Sequence, residues 1–151
     1  MKKHEKQLKT KVNIDKQKQF LYNPLKRNTC IRNNCIKCCI KTSMLLSNRD
    51  IEKIEQLGYD RHYFTKSKKG WLKLKNKDGK CVFHNGKVCI IYDNKPEGCI
   101  LYPLIFDREN KSAVVDEDCP YENCFRFSKK DIKRLYNLIT QITDERKNRR
   151  K

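Results

Sequence analysis

The chain lacks any long apolar run. No stretch approaches the roughly 18 consecutive apolar residues of a membrane-spanning helix, and the basic residues at its start precede no apolar segment of the kind found in secretory signals. Apolar residues make up 37% of the chain, below the average of about 45 to 50% for globular domains. We therefore expect a cytoplasmic protein with no membrane partner, in which a purely hydrophobic core would be thin.

Acidic residues are also scarce relative to basic ones. The chain has 36 Lys+Arg against 18 Asp+Glu, for a formal charge of +18. Residues 1–29 hold nine basic and two acidic residues, and residues 126–151 hold ten and three, whereas residues 30–125 are nearly balanced with seventeen and thirteen. The excess charge therefore belongs to the ends of the chain. It is typical of a solubilising surface, and a nucleic-acid partner gripped by basic tails is the functional alternative.

No Ser/His/Asp arrangement, phosphate-binding loop or pair of metal-binding carboxylates stands out. The sequence therefore leaves open whether the protein is an enzyme, and it indicates no catalytic residue.

Cysteine, in contrast, is abundant. In a reducing compartment a cysteine-dense chain more often binds metal or performs catalysis than forms disulfides. Thiolates are soft anionic ligands, and several brought together repel one another unless a cation such as Zn²⁺ or an iron-sulfur core neutralises them. All nine cysteines lie in the nearly balanced middle of the chain: Cys30, Cys35, Cys38, Cys39, Cys81, Cys89, Cys99, Cys119 and Cys124.

The first four cysteines have informative spacing. Two residues separate Cys35 from Cys38, so a tight turn can aim both sulfurs at one metal. The side chains of neighbours in an extended segment point apart, so one of the adjacent pair Cys38 and Cys39 can serve a second metal, bridge two metals, or be a small buried hydrophobe. Cys30, Cys35 and Cys38 also match three positions of the plant-type [2Fe–2S] spacing. Zinc, iron and iron-sulfur cofactors all remain open.

The coarse secondary-structure pattern predicts an α+β fold: a small single domain with short β-hairpins and a few helices, organised around a cysteine-ligated metal site. We expect a basic, disordered or frayed arm over residues 1–25, a cysteine-cluster metal-binding domain over residues 26–127, and an amphipathic helix with a basic tail over residues 128–151.

Local signals place the elements. Two capping boxes predict helices, one beginning after Ser47 and ending near Gly58, and one beginning after Ser128. Residues 71–75 and 80–83 alternate around a turn at residues 76–79 and predict a hairpin. A second hairpin is predicted between residues 104–106 and 113–115, and Pro96 is placed to open a short helical turn through Cys99 that Pro103 ends.

The ordered motifs resemble the YkgJ-type cysteine-cluster family, whose members are described as zinc- or iron-chelating proteins. The resemblance covers roughly residues 30–125. It rests on Cys35-Ile-Lys-Cys-Cys39, Cys81-Val-Phe, Cys89-Ile-Ile-Tyr92, Lys95-Pro-Glu-Gly-Cys99, Tyr102-Pro103 and Cys119-Pro120. It implies eight metal ligands, leaving Cys124 as the spare: Cys30, Cys35, Cys38, Cys39, Cys81, Cys89, Cys99 and Cys119. Eight thiolates suit two four-cysteine zinc sites, or one iron-sulfur cluster with ligands to spare.

The resemblance also raises enzymatic alternatives. Flagellin lysine N-methylases share the motif, which implies a protein-lysine methylation enzyme or accessory subunit with a protein partner. This chain, however, has no added length for a methyltransferase domain and no glycine-rich loop for a methyl donor. It has Lys95-Pro96 and Cys99-Ile100 where the family often has Arg-Pro and Cys-Arg.

Outside the cysteines, His84 is the other candidate ligand, although a histidine beside the Asn85-Gly86 turn more often faces solvent. The aromatic residues near the cysteines are expected to form an apolar shell that excludes water from the metal.

Overall fold

The computed structural model describes residues 35–151, so the predicted basic arm over residues 1–25 and Cys30 lie outside the described residues. Within that range the helices are α1 Asn48–Glu55, α2 Arg61–Phe64, α3 Glu97–Leu101 and α4 Lys129–Arg149. The strands form three two-stranded antiparallel sheets: β1 Thr65–Lys68 with β2 Trp71–Leu74, β3 Asn76–Lys77 with β4 Lys80–Cys81, and β5 Leu104–Asp107 with β6 Ser112–Val115. Short 3-10 turns cover Lys37–Cys39, Tyr92–Asn94 and Glu122–Cys124. The predicted α+β class is confirmed.

Backbone contacts divide these residues into two compact units. The larger unit consists of Ile36–Ile100 and Leu138–Lys151, and the smaller unit consists of Leu101–Asn137 together with Cys35. Each unit is described separately below.

Helix α1 begins and ends as its sequence predicts. Ser47 Oγ accepts a hydrogen bond from the Asp50 N–H at 3.0 Å, and Asp50 Oδ2 accepts one from the Ser47 N–H at 3.0 Å. This reciprocal capping box satisfies two N–H groups that the helix itself cannot pair. Ile51 and Ile54 are buried, while Leu57 lies beyond the helix end and is exposed.

Strand β2 pairs with a different segment from the one that the sequence predicts. Strand β2 pairs with β1, with Thr65 opposite Leu74 and Lys68 opposite Trp71. Between them Lys69 and Gly70 both have positive φ angles, 51° and 82°, the combination that a tight two-residue hairpin turn requires.

Residues 80 and 81, which the sequence predicts to pair with β2, pair instead with the two residues of β3 and form a smaller hairpin. Its turn consists of Asp78 and Gly79, which have φ angles of 53° and 79°, and the strands on either side are only two residues long. The Val82 N–H donates to the Lys75 carbonyl at 3.0 Å, which extends the pairing by one step. The predicted turn over residues 76–79 therefore contracts to two residues.

The hydrophobic core of the larger unit surrounds Phe83. Its fully buried ring lies 5.0 Å from the Tyr59 ring, edge to face, and 5.5 Å from the Phe64 ring. Aromatic contacts of this kind add to the free energy gained by burying apolar area. The buried members of the cluster are Leu46, Ile51, Ile54, Phe64, Leu74, Cys81, Phe83 and Ile91, with Cys39, Cys89 and Cys99 among the partly buried residues packed against them.

The smaller unit contains the predicted second hairpin, β5 with β6. Its turn is held by the buried carboxylate of Asp107, which accepts hydrogen bonds from the Glu109 N–H and from Asn110 Nδ2, both at 2.9 Å. The Tyr136 hydroxyl accepts the Ala113 N–H at 3.2 Å, and the Tyr136 ring contacts Phe106 edge to face.

Helix α4 begins at the second predicted capping box, in which the Ser128 N–H donates to Asp131 Oδ2 at 2.8 Å. Leu135, Leu138 and Ile142 are buried, as an amphipathic helix requires. The helix extends to Arg149, so nearly all of the predicted basic tail is helical. Among residues 35–151, no helix is both long and apolar enough to cross a membrane.

Candidate metal centre

Backbone pairing places Cys38 beside the strand that carries Cys81. Cys38 lies in the 3-10 turn Lys37–Cys39, in which the Cys39 N–H donates to the Ile36 carbonyl at 2.9 Å. The next residue, Ile40, forms an antiparallel bridge to Lys80, and Lys80 immediately precedes Cys81. Main-chain contacts therefore bring together the segments of Cys38 and Cys81, which are more than 40 residues apart in the sequence.

A tight loop returns Cys89 toward Cys81. His84 and Cys89 form an antiparallel bridge, and the Asn85 side chain accepts the Lys87 and Val88 N–H groups, both at 2.9 Å. An asparagine that caps its own turn in this way is a common loop device. The two cysteines therefore flank one short loop.

Cys99 lies in helix α3, which is anchored to helix α1. The Glu97 N–H donates to Asp50 Oδ1 at 2.9 Å, and Lys53 Nζ donates to the Lys95 carbonyl at 2.8 Å. The Cys99 N–H itself donates to the Pro96 carbonyl at 2.9 Å. The carboxylate that caps α1 thus also fixes the first residue of the helix that carries Cys99.

These segments bring the Cys99 thiol within electrostatic range of three other thiols, of which Cys38 is exposed. Burial raises the pKa of the Cys99 thiol most strongly, and the neighbouring thiols of Cys38, Cys81 and Cys89 raise it further. Burial likewise raises the pKa of Cys81, with an additional contribution from Cys89. A thiolate at any of these positions would repel the others. We refer to Cys38, Cys81, Cys89 and Cys99 as the four-thiol cluster.

Backbone N–H groups oppose that rise at two of the sulfurs. Burial raises the pKa of Cys81 and of Cys89, but hydrogen bonds from the main chain of Phe83 and of Ile91, respectively, lower it. In both cases the donating residue is two positions beyond the cysteine, and its side chain is buried in the core. Donors of this kind favour the thiolate, which is the form that binds metal.

Lys95 supplies positive charge near the cluster. Its ammonium group lies 4.0 Å from the centroid of the Tyr92 ring, a cation–π contact, and it lowers the pKa of both Cys89 and Cys99. A lysine at this motif position, where the family often has arginine, therefore still favours thiolates.

His84 has a structural role in this loop. It is buried, and its Nδ1 accepts the Gly86 N–H at 3.0 Å. Burial lowers the pKa of the imidazole and nearby Lys80 lowers it further, so the neutral form is favoured. The predicted turn is present, but His84 faces the interior of the loop rather than solvent.

The other predicted ligands differ in burial and in the unit that holds them. Cys39 is half-buried and packs against the core of the larger unit. Cys119 is buried in the smaller unit, which also contains Cys124, an exposed cysteine that is not a predicted ligand. Cys35 is half-buried, and none of the eight cysteines in the described range forms a disulfide. The sequence patterns indicate no role for Glu122, whose buried Oε2 has no hydrogen-bond partner within residues 35–151. The one feature of the sequence that draws attention to Glu122 is its position three residues after Cys119.

The donor chemistry of the four-thiol cluster fits zinc or iron, because thiolates prefer soft or borderline metals and because the backbone donors and Lys95 favour the thiolate form. Within residues 35–151, however, no three His, Cys, Asp or Glu side chains are already placed to hold a metal ion.

The fold and the gathered thiols define a small α+β cysteine-cluster protein. The chain belongs to the CxxCxxCC family, described as "Putative zinc- or iron-chelating domain", whose model matches residues 29–120. The last part of the family's motif is Cys35-Ile-Lys-Cys38-Cys39, whereas Arg32 occupies the position of its first cysteine and Cys30 lies two residues earlier. Searches of curated proteins and of solved structures each returned no match.

Proposed function

We propose that the protein binds zinc or iron through thiolates, and that Cys38, Cys81, Cys89 and Cys99 form one four-sulfur site within the larger unit. The observation that carries the proposal is electrostatic: the thiol of Cys99 interacts with those of the other three, although they come from three separate segments of the chain. Four thiolates at one point suit a tetrahedral Zn²⁺ or an iron-sulfur cluster.

A metal would contribute strongly to stability because the ligand segments come together only in the folded chain. In the metal-free protein burial favours the neutral thiol at Cys81, Cys89 and Cys99. A bound cation would supply the charge that lets all four ionise, with the release of protons. Structural zinc in small modules contributes roughly 10 kcal/mol or more at pH 7, which is comparable with the whole stability of an ordinary domain.

Metal analysis after anaerobic purification tests this proposal. We expect stoichiometric zinc, or iron with acid-labile sulfide and a visible absorption band. Changing any one of the four cluster cysteines to serine should lower the metal content sharply, whereas Cys124→Ser, an exposed cysteine of the smaller unit, is the matched control. A colourless protein without stoichiometric metal, or equal metal in the Cys99→Ser and Cys124→Ser variants, would contradict it.

The resemblance also implies Cys30, Cys35, Cys39 and Cys119 as metal ligands. Metal stoichiometry separates the alternatives, because two metals per chain require these residues and one does not. Individual serine variants at Cys35 and Cys119 should then remove the second equivalent only, while the first remains bound by the four-thiol cluster.

A further inference from the structure

A basic surface covers the β1–β2 hairpin and the end of helix α4 in the larger unit. Residues 65–75 contain five lysines and no acidic residue, and residues 146–151 contain five basic residues and no acidic one. Lys66, Lys68 and Lys69 are exposed, and Lys73 is half-buried. We refer to this surface, formed by Lys66, Lys68, Lys69, Lys73 and the α4 end, as the basic hairpin surface.

The strand register gathers this charge on one face. Lys66 lies directly opposite Lys73, and Lys68 lies opposite Trp71. Opposed residues share a face of a hairpin, so these four side chains project on one side, while Leu72 and Leu74 occupy the other side, with Leu74 buried. Like charges directly opposite each other destabilise a hairpin. In the described part of the chain, no ion pair joins Lys66, Lys68 or Lys73 to a carboxylate.

The end of helix α4 fixes this hairpin in position. Arg146 Nε donates to the Lys69 carbonyl at 3.0 Å, and its guanidinium carbon lies 4.5 Å from the centroid of the Trp71 ring. Arg149 Nη1 donates to the Gly70 carbonyl at 3.0 Å. Because hairpin and helix end are joined at three points, their charges form one preorganised surface, which lowers the entropy cost of binding a partner.

We propose that the basic hairpin surface binds the phosphate backbone of nucleic acid. Lysines two residues apart on a strand are separated by about 6.6 to 6.8 Å, twice the roughly 3.4 Å axial rise per phosphate in one strand of a duplex. The one apolar side chain on this face of the hairpin, Trp71, is half-buried and already stacks against Arg146, which leaves it poorly placed to insert into a membrane. The surface therefore fits a regular polyanion, and a phosphate neighbour would relieve the repulsion between Lys66 and Lys73.

The test is fluorescence anisotropy of labelled single-stranded RNA, single-stranded DNA and duplex DNA with the full chain, across salt from about 50 to 200 mM. The hairpin variant combines Lys66→Gln, Lys68→Gln and Lys73→Gln. Each lost phosphate contact removes about 0.7 to 0.9 from the slope of log affinity against log salt. Three contacts therefore remove about 2 to 3 from the slope and weaken binding at 0.1 M salt by about 100-fold or more.

The matched control combines Lys129→Gln, Lys130→Gln and Lys133→Gln, three exposed lysines of the smaller unit that remove the same charge. This control should keep the wild-type slope to within about one contact. Thermal unfolding of the hairpin variant should match or exceed wild type, because the opposed charges are gone, so lost binding would not reflect lost folding.

Three outcomes overturn the proposal. The first is an equal loss of binding in the hairpin and control variants, which would make total charge the cause. The second is an unchanged salt slope in the hairpin variant. The third is competition by poly-glutamate, or binding to anionic phospholipid vesicles, that is as strong as that of nucleic acid at equal charge. Among the three oligonucleotides, the tightest binder identifies whether RNA, single-stranded DNA or duplex is the ligand.

Discussion

Asp50→Ala should destabilise the protein and weaken its metal binding together, because one buried carboxylate holds the starts of two helices. Its Oδ2 accepts the Ser47 N–H of the α1 cap and its Oδ1 accepts the Glu97 N–H at the start of α3. Hydrogen bonds to charged groups contribute about 1.5 to 3 kcal/mol each. Removing both should lower the free energy of unfolding by about 3 to 6 kcal/mol.

Two further variants separate the contributions of the individual hydrogen bonds to that loss of stability. Ser47→Ala removes only the hydroxyl that accepts the Asp50 N–H, and should cost about 1 kcal/mol. Asp50→Asn keeps one acceptor oxygen and loses the other, so its cost should lie near half that of Asp50→Ala, at about 1.5 to 3 kcal/mol. The expected order of destabilisation is therefore Ser47→Ala, then Asp50→Asn, then Asp50→Ala.

Urea unfolding of the metal-free and metal-loaded forms measures these costs, with unchanged m values required for the comparison. Chelator competition then measures metal affinity, which should fall more in Asp50→Ala than in Ser47→Ala because only the former releases the helix that carries Cys99. The reasoning is refuted if Asp50→Ala costs no more than Ser47→Ala, or if both variants keep wild-type metal affinity.

Other consequences can be measured directly. Burial raises the pKa of the Cys81, Cys89 and Cys99 thiols, whereas unfolded thiols titrate near pH 8.5. The unfolded state therefore loses protons first, and the free energy of unfolding of the metal-free protein should fall as pH rises above about 8.5, a trend that urea titrations would reveal or exclude. Lys95→Met should slow alkylation of Cys89 and Cys99 in metal-free protein at neutral pH, and Lys95→Arg should restore it, since the cation lowers both pKa values. Equal alkylation rates in the two variants would show that the Lys95 cation does not lower the pKa values of these thiols. Gly70→Ala should cost more stability than Gly58→Ala: both have positive φ, but only the Gly70 methyl would meet side-chain carbons, Cγ of Arg150 at 2.8 Å and Cγ of Arg146 in the final helix at 3.1 Å. Similar losses in thermal unfolding would show that the hairpin does not depend on that close approach.

The helix boundaries could be predicted from sequence because their causes are local. Ser47 with Asp50, and Ser128 with Asp131, each place a hydroxyl three residues before a carboxylate, and the bonds that this spacing allows are the bonds that form. Such caps depend on no distant residue.

The partner of strand β2 could not be predicted in the same way. The turn at Lys69 and Gly70 uses a lysine with a φ of 51° in a position where asparagine or glycine is the usual signal. The more conventional Asp78-Gly79 turn was therefore assigned to the longer hairpin, although it closes only two residue pairs.

The sequence identified the chemistry of the candidate site but not its membership. Cysteine spacing indicated soft-metal ligands, but it did not show which cysteines lie close together. The grouping depends on long-range contacts, such as the bridge between Ile40 and Lys80 and the bond from Glu97 to Asp50. Neither contact has a signature in a single sequence, because each joins segments more than 35 residues apart.

The N–H groups that face Cys81 and Cys89 belong to Phe83 and Ile91, whose side chains are buried in the core. A mutational scan that scores only metal retention would therefore report these two apolar positions alongside the cysteines, although neither can bind a metal. Conversely, a scan of thermal stability in the presence of chelator would report Phe83 and Ile91, together with Cys81, which is buried in the same core, and would pass over the exposed Cys38. Running both scans on the same library would separate residues that ligate from residues that hold the ligands in place.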